Sequence, residues 1–86
     1  MGGSRLKKVC WRHSRETHRA KTFHGLVKNM MESNETYMKN NDNPNVRDFM
    51  NVISQRCASF EVKVNRNNPK LFIRDLLKYQ ILKKLN

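Results

Sequence analysis

Acidic residues are scarce in this chain. Seven Asp and Glu stand against eighteen Lys and Arg, a formal net charge of +11 over 86 residues. An excess of that size attracts nucleic acid, acidic peptides or anionic membranes, and by itself does not choose among them. Cysteine is also scarce: Cys10 and Cys57 are the only two. A small secreted scaffold would carry more bridges, so Cys57, on an apolar stripe, reads as a buried free thiol. No apolar run approaches the ~18–20 residues of a membrane span, and no signal-peptide pattern is visible. The opening Met1-Gly2-Gly3-Ser4 reads as an expression scar. Alternation of useful length for a strand is missing too. Val62-Lys63-Val64 alternates only briefly, and a longer helical period overrides it.

Chemistry-bearing clusters are missing as well. His13, His18 and His24 lie close together in sequence, with no carboxylate or nucleophile at a convincing spacing. Cys10 and His13 make half of a zinc site, and no second half follows. The sequence therefore indicates no enzyme, no cofactor and no metal. The Asn34-Glu35-Thr36 sequon carries no weight without a secretory signal.

What is present is helical period. Ser14 can cap a first helix, with Glu16 in its first turn, and Ala20, Phe23, Val27, Met30 and Met31 recur at helical spacing. Gly25 is a weak point costing about 1 kcal/mol against Ala, unless it allows a close approach. Residues 33–45 are polar and Asn-rich, with Tyr37 and Met38 pinning them to the core. Asn43 or Asn45 can cap a second helix, with Pro44 in its first turn. Val46, Phe49, Met50, Ile53, Cys57, Phe60 and Val64 then form one stripe over five turns. Asn68 and Pro69 open a third helix.

The third segment is unusually apolar. Nine of the fifteen residues 71–85 are apolar. At 100° per residue they spread over more than one side, whereas a surface helix needs one stripe. The surplus predicts a groove for a partner helix. The expected architecture is all-α: a three-helix bundle over residues 14–86, with helices at about 14–32, 44–64 and 69–85, behind a basic flexible tail at 1–13.

The run from Glu16 to Met30 resembles the first helix of KIX domains in the fungal Mediator tail subunit. Arg19-Ala20-Lys21, Gly25-Leu26 and Met30 fall in the matching order. Ala58-Ser59-Phe60-Glu61 is similar to the family's Phe-Glu segment late in its second helix. Pro69-Lys70-Leu71-Phe72 is similar to the start of its third. Trp11 and Arg12 are similar to the approach to the first helix in animal members. The chain departs from the family at Leu71-Phe72, where members carry Glu-Tyr, and in a shorter second connection. The resemblance spans about residues 11–85.

It implies a three-helix coactivator module in the nucleus, a monomer within a longer chain that meets other Mediator subunits. Its partners would be activation domains of transcription factors, held as amphipathic acidic helices in a hydrophobic groove. Phe23, Leu26, Met30, Leu76, Tyr79 and Leu82 would supply the apolar floor. Arg19, Lys28, Lys78 and Lys83 would attract the acids. The alternative is a basic helix-turn-helix-like domain that binds nucleic acid, with no membrane partner in either case.

Overall fold

The computed structural model describes residues 6–85. The Met1-Gly2-Gly3-Ser4 segment lies outside them. Residues 7–20, read from sequence as a tail and the start of a helix, form a β-hairpin. Strand β1 (Lys7–Trp11) pairs antiparallel with β2 (Thr17–Ala20), placing Lys7 opposite Ala20 and Cys10 opposite Thr17. Val9 and His18, opposite each other, point inward and are buried. The strands meet in a loop where Arg15 adopts a left-handed φ of 60°. Its N–H donates to the Trp11 carbonyl at 2.8 Å, and the Trp11 N–H donates to the Glu16 carbonyl at 3.0 Å. Ser14 is therefore a loop residue rather than a helix cap.

Helix α1 (Phe23–Glu32) starts only at Thr22, whose hydroxyl accepts from the Gly25 N–H at 2.9 Å. A Cβ on Gly25 would lie 3.0 Å from that hydroxyl and 3.3 Å from the Ala20 methyl group. The glycine thus lets the helix start close against its cap and against β2. Leu26, Val27, Met30 and Met31 are buried. This helix touches β2 and each of the other three helices, so it is the centre of the packing.

The Asn-rich segment holds a further short helix, α2 (Glu35–Asn40), capped by Asn34. Tyr37 is its anchor: the ring meets Phe49 edge-on at 5.2 Å, and the hydroxyl donates to Asp48 Oδ2 at 2.8 Å. Helix α3 (Val46–Ala58) is capped by Asn45 and buries Phe49, Met50, Ile53 and Cys57. Helix α4 (Pro69–Lys78) is capped by Asn68 with Pro69 in its first turn, and buries Phe72, Ile73 and Leu76. Strand β3 (Leu82–Lys84) then joins the free side of β1, with Leu82 opposite Trp11 and Lys84 opposite Val9. The sheet order is β2-β1-β3, and its inner face packs on α1 and α4.

The chain is therefore mixed α/β and not an all-α three-helix bundle. The expected helix at 14–32 is a strand followed by a shorter helix. The expected helix at 44–64 stops at Ala58, and that at 69–85 stops at Lys78.

Both early stops use one backbone device. After α3, Glu61 takes a left-handed φ of 63°, its N–H donates to the Ala58 carbonyl, and the Val62 N–H donates to Cys57. After α4, Gln80 takes a φ of 61°, its N–H donates to Leu77, and the Ile81 N–H donates to Leu76. These are Schellman stops, which glycine usually occupies. A non-glycine residue there carries a steric cost of roughly 1–2 kcal/mol. Glu61→Gly and Gln80→Gly should each stabilise the domain by about 1 kcal/mol once the extra unfolded-state freedom of glycine is subtracted. Urea midpoints at constant slope would measure this.

These stops also explain the misread stripes. Phe60 follows the helical spacing of α3, yet it lies beyond the stop and is 80% exposed. Leu82 looked like surplus apolar surface on a helix. It is the inward residue of a strand and is 1% exposed.

Candidate binding cleft

A cleft of about 580 Å3 opens between the start of α1, the outer side of α4 and strand β1. Its volume is within the ~300–1,000 Å3 range of ligand pockets. Phe23 and Leu26 from α1, Ile73 and Leu77 from α4, and Leu6 and Val9 from the β1 segment give it an apolar lining. Lys7, Lys8, Lys70, Arg74 and Lys84 stand around them, and none of the lining residues is acidic.

Local structure places each part. Ile73 and Leu77 are one turn apart on α4, and so are Lys70 and Arg74; residues four apart lie on one side of a helix. The cations stay exposed while Ile73 is buried and Leu77 half-buried. Phe23, the first residue of α1, is half-buried and held from above by Lys7. The Lys7 ammonium sits 4.7 Å from the ring centroid and donates to the Lys21 carbonyl at 3.2 Å. Lys84 arrives through the pairing of β3 with β1.

A second hollow of about 630 Å3 lies between the hairpin loop and the C-terminal ends of α1 and α3. Trp11, Met30, Ile53, Phe60 and Val62 line it, but its charges are mixed: Glu16 and Glu35 face it along with Arg56.

The residues expected to form one groove are dispersed. Leu26, Met30, Leu76 and Leu82 are each no more than 1% exposed and belong to the core. Of these, Leu26 underlies the cleft and Met30 underlies the second hollow. Phe23 is in the cleft. Tyr79 is the C-cap of α4, 42% exposed, with the Lys78 ammonium 5.6 Å from its ring. Arg19 and Lys83 are exposed on the sheet, and neither these nor Lys28 and Lys78 line the cleft. The cleft residues that sequence reasoning missed are Lys70, Ile73, Arg74 and Leu77, and the strand residues Lys7, Lys8 and Lys84. The i, i+4 spacing on α4 was a readable signal. The strand lysines had none, because no strand was expected.

Three titratable groups are perturbed by burial away from the cleft; one is Tyr37, whose hydroxyl is pushed up by desolvation and by its hydrogen bond to Asp48. The Cys57 thiol is pushed up by desolvation, and neither Cys57 nor Cys10 is in a disulfide. His18 is pulled below its ordinary value by desolvation; Glu16, with Oε1 3.0 Å from His18 Nε2, opposes that shift. The contact is close but off hydrogen-bond geometry, leaving Nε2 without a hydrogen-bond partner. Burial thus favours the neutral imidazole in the fold, whereas the unfolded chain takes up its proton near pH 6.5. Its contribution to stability is present above that pH and is lost as pH falls from about 6.5 toward the lowered folded value. Denaturation midpoints should drop over that window, and His18→Gln should flatten the drop. Among the described residues no group of three His, Cys, Asp or Glu could hold a metal ion. Also among them, no helix is long and apolar enough to cross a membrane.

No family model, curated protein or solved structure matches the chain.

Proposed function

We propose that this domain is a non-enzymatic binding module for an acidic, amphipathic segment, which it takes into the cleft between α1, α4 and β1. The observation that carries this reading is the composition of one surface: an apolar floor with five cations and no acid around it. An amphipathic helix supplies the complement, with apolar anchors at i, i+3 and i+4 and acids beside them. Phe23 and Leu77 receive the anchors, above the buried Leu26 and Ile73. Lys7, Lys70, Arg74 and Lys84 meet the acids and speed encounter.

In its fuller form the reading is a transcriptional coactivator module of the nucleus that receives activation domains for Mediator. That form rests on the sequence resemblance to KIX domains. The cleft supports the narrower statement, with a different set of residues from those the resemblance implies.

Anisotropy of a labelled acidic amphipathic peptide tests the narrower statement. Binding should weaken as salt is raised, because exposed charges are screened beyond about 10 Å at 0.1 M. A peptide keeping its acids but with its apolar anchors changed to serine should lose about tenfold or more in affinity. Equal binding of the two peptides would mean that the apolar floor is not used.

A further inference from the structure

The sheet carries a second basic surface, separate from the cleft floor. Side chains alternate along a strand. With Val9, His18 and Leu82 buried on the inner face, the outer face receives Lys8, Cys10, Thr17, Arg19 and Lys83. The register puts Lys8 directly opposite Arg19, and Lys83 opposite Cys10, on neighbouring strands. None of the three strands contains an acidic residue. Like charges facing each other across a ladder destabilise the pair, so the folded sheet holds three cations together with no compensating acid on its strands.

We propose that this outer face is a binding site for the phosphate backbone of nucleic acid. The register places Lys8, Arg19 and Lys83 on one face of three neighbouring strands about 4.8 Å apart, a group of cations that a polyphosphate can neutralise. Contacts of this kind position a protein on nucleic acid without reading its sequence. Among the described residues the face offers little of the apolar surface that an interfacial membrane binder buries: Leu6, 40% exposed just before β1, and Leu85, 43% exposed just past β3, stand at its edge. It also lacks the grooved apolar floor an amphipathic peptide needs.

The site shares only Lys8 with the cleft, and the test separates them. Lys8 borders both, so Arg19 and Lys83, which do not line the cleft, are the positions to change. Binding of a short mixed-sequence DNA duplex would be followed by anisotropy over a range of salt, for the wild type and Arg19→Gln/Lys83→Gln. Each phosphate contact contributes about 0.9 to the slope of log K against log salt. The double variant should lose about 1.8 of that slope and keep its affinity for the acidic peptide. Arg19→Lys/Lys83→Arg should retain the slope. An unchanged slope in the glutamine variant would overturn the proposal. So would duplex binding that is lost only on changing Lys70 and Arg74, since the contact would then be the cleft rim. Binding to anionic phosphatidylserine vesicles with none to the duplex would assign the face to membranes instead and overturn it equally.

Discussion

Replacing Phe72 with alanine is expected to cost about 3–5 kcal/mol, the range for truncating a buried aromatic side chain. Phe72 is fully buried on α4, next to Ile73 and Leu76, which pack in the same core. A chain of this size has roughly 4–13 kcal/mol in total, so Phe72→Ala should remove a large fraction of its stability and lower the urea midpoint accordingly. Leu26→Ala should follow it, at about 2–5 kcal/mol, because Leu26 is also fully buried. Leu77→Ala should behave differently. Leu77 is half-buried at the cleft surface, and its truncation should cost on the order of 1 kcal/mol of stability while weakening peptide binding. Urea unfolding measures the first quantity and peptide anisotropy the second. Near-wild-type stability in Phe72→Ala would contradict the packing described for α4.

The second large effect is electrostatic. Lys70→Glu/Arg74→Glu reverses two charges on one exposed row of α4. Each reversal changes the charge by two, so the net charge falls from +11 to +7. Both residues stand beside Ile73 and Leu77 in the cleft. Exposed single ion pairs are worth only about 0–1 kcal/mol. Reversal, however, puts repulsion where attraction was and removes steering. The acidic peptide should therefore bind about tenfold or more weakly, with most of the loss in the association rate. Stopped-flow association at low salt would show it. Stability should change little, because neither side chain is in an ion pair or hydrogen bond that holds the fold together.

The starts of α3 and α4 were legible because their signals are local, whereas α2 reads as a polar loop and α1 as starting at Ser14. Asn68 and Pro69 announce α4, and the stripe from Val46 to Cys57 announces α3. Tyr37 was readable as an anchor from its isolation in a polar segment. The strands were not legible, for a physical reason in each case. In β1 the inward positions are Lys7, Val9 and Trp11, and the outward ones include Cys10, so hydrophobicity does not alternate. In β2 the buried residue is a histidine. Strand β3 is three residues long and follows a helix whose stop is Gln80. With Glu61 and Gln80 in the positions that glycine usually fills, the sequence prints no stop signal. Helical spacing therefore runs on past both true ends.

The candidate site followed the same logic. Assigning residues 79–85 to a helix put Tyr79, Leu82 and Lys83 on one imagined groove. Once Leu82 belongs to a strand, its side chain fills the core and Lys83 points to the other face. The charge excess was visible throughout, but its division between a cleft and a sheet face depends on strand register, which composition does not contain.

The measurement that bears most directly on the central claim is an NMR titration of the isotopically labelled domain with an acidic amphipathic peptide, following side-chain signals. Saturable shifts concentrated on Phe23, Ile73 and Leu77, with Phe60, Val62 and Trp11 little changed, are the predicted result. Shifts centred on Phe60, Val62 and Trp11, or none that saturate, would contradict the assignment of the basic-rimmed cleft as the binding site.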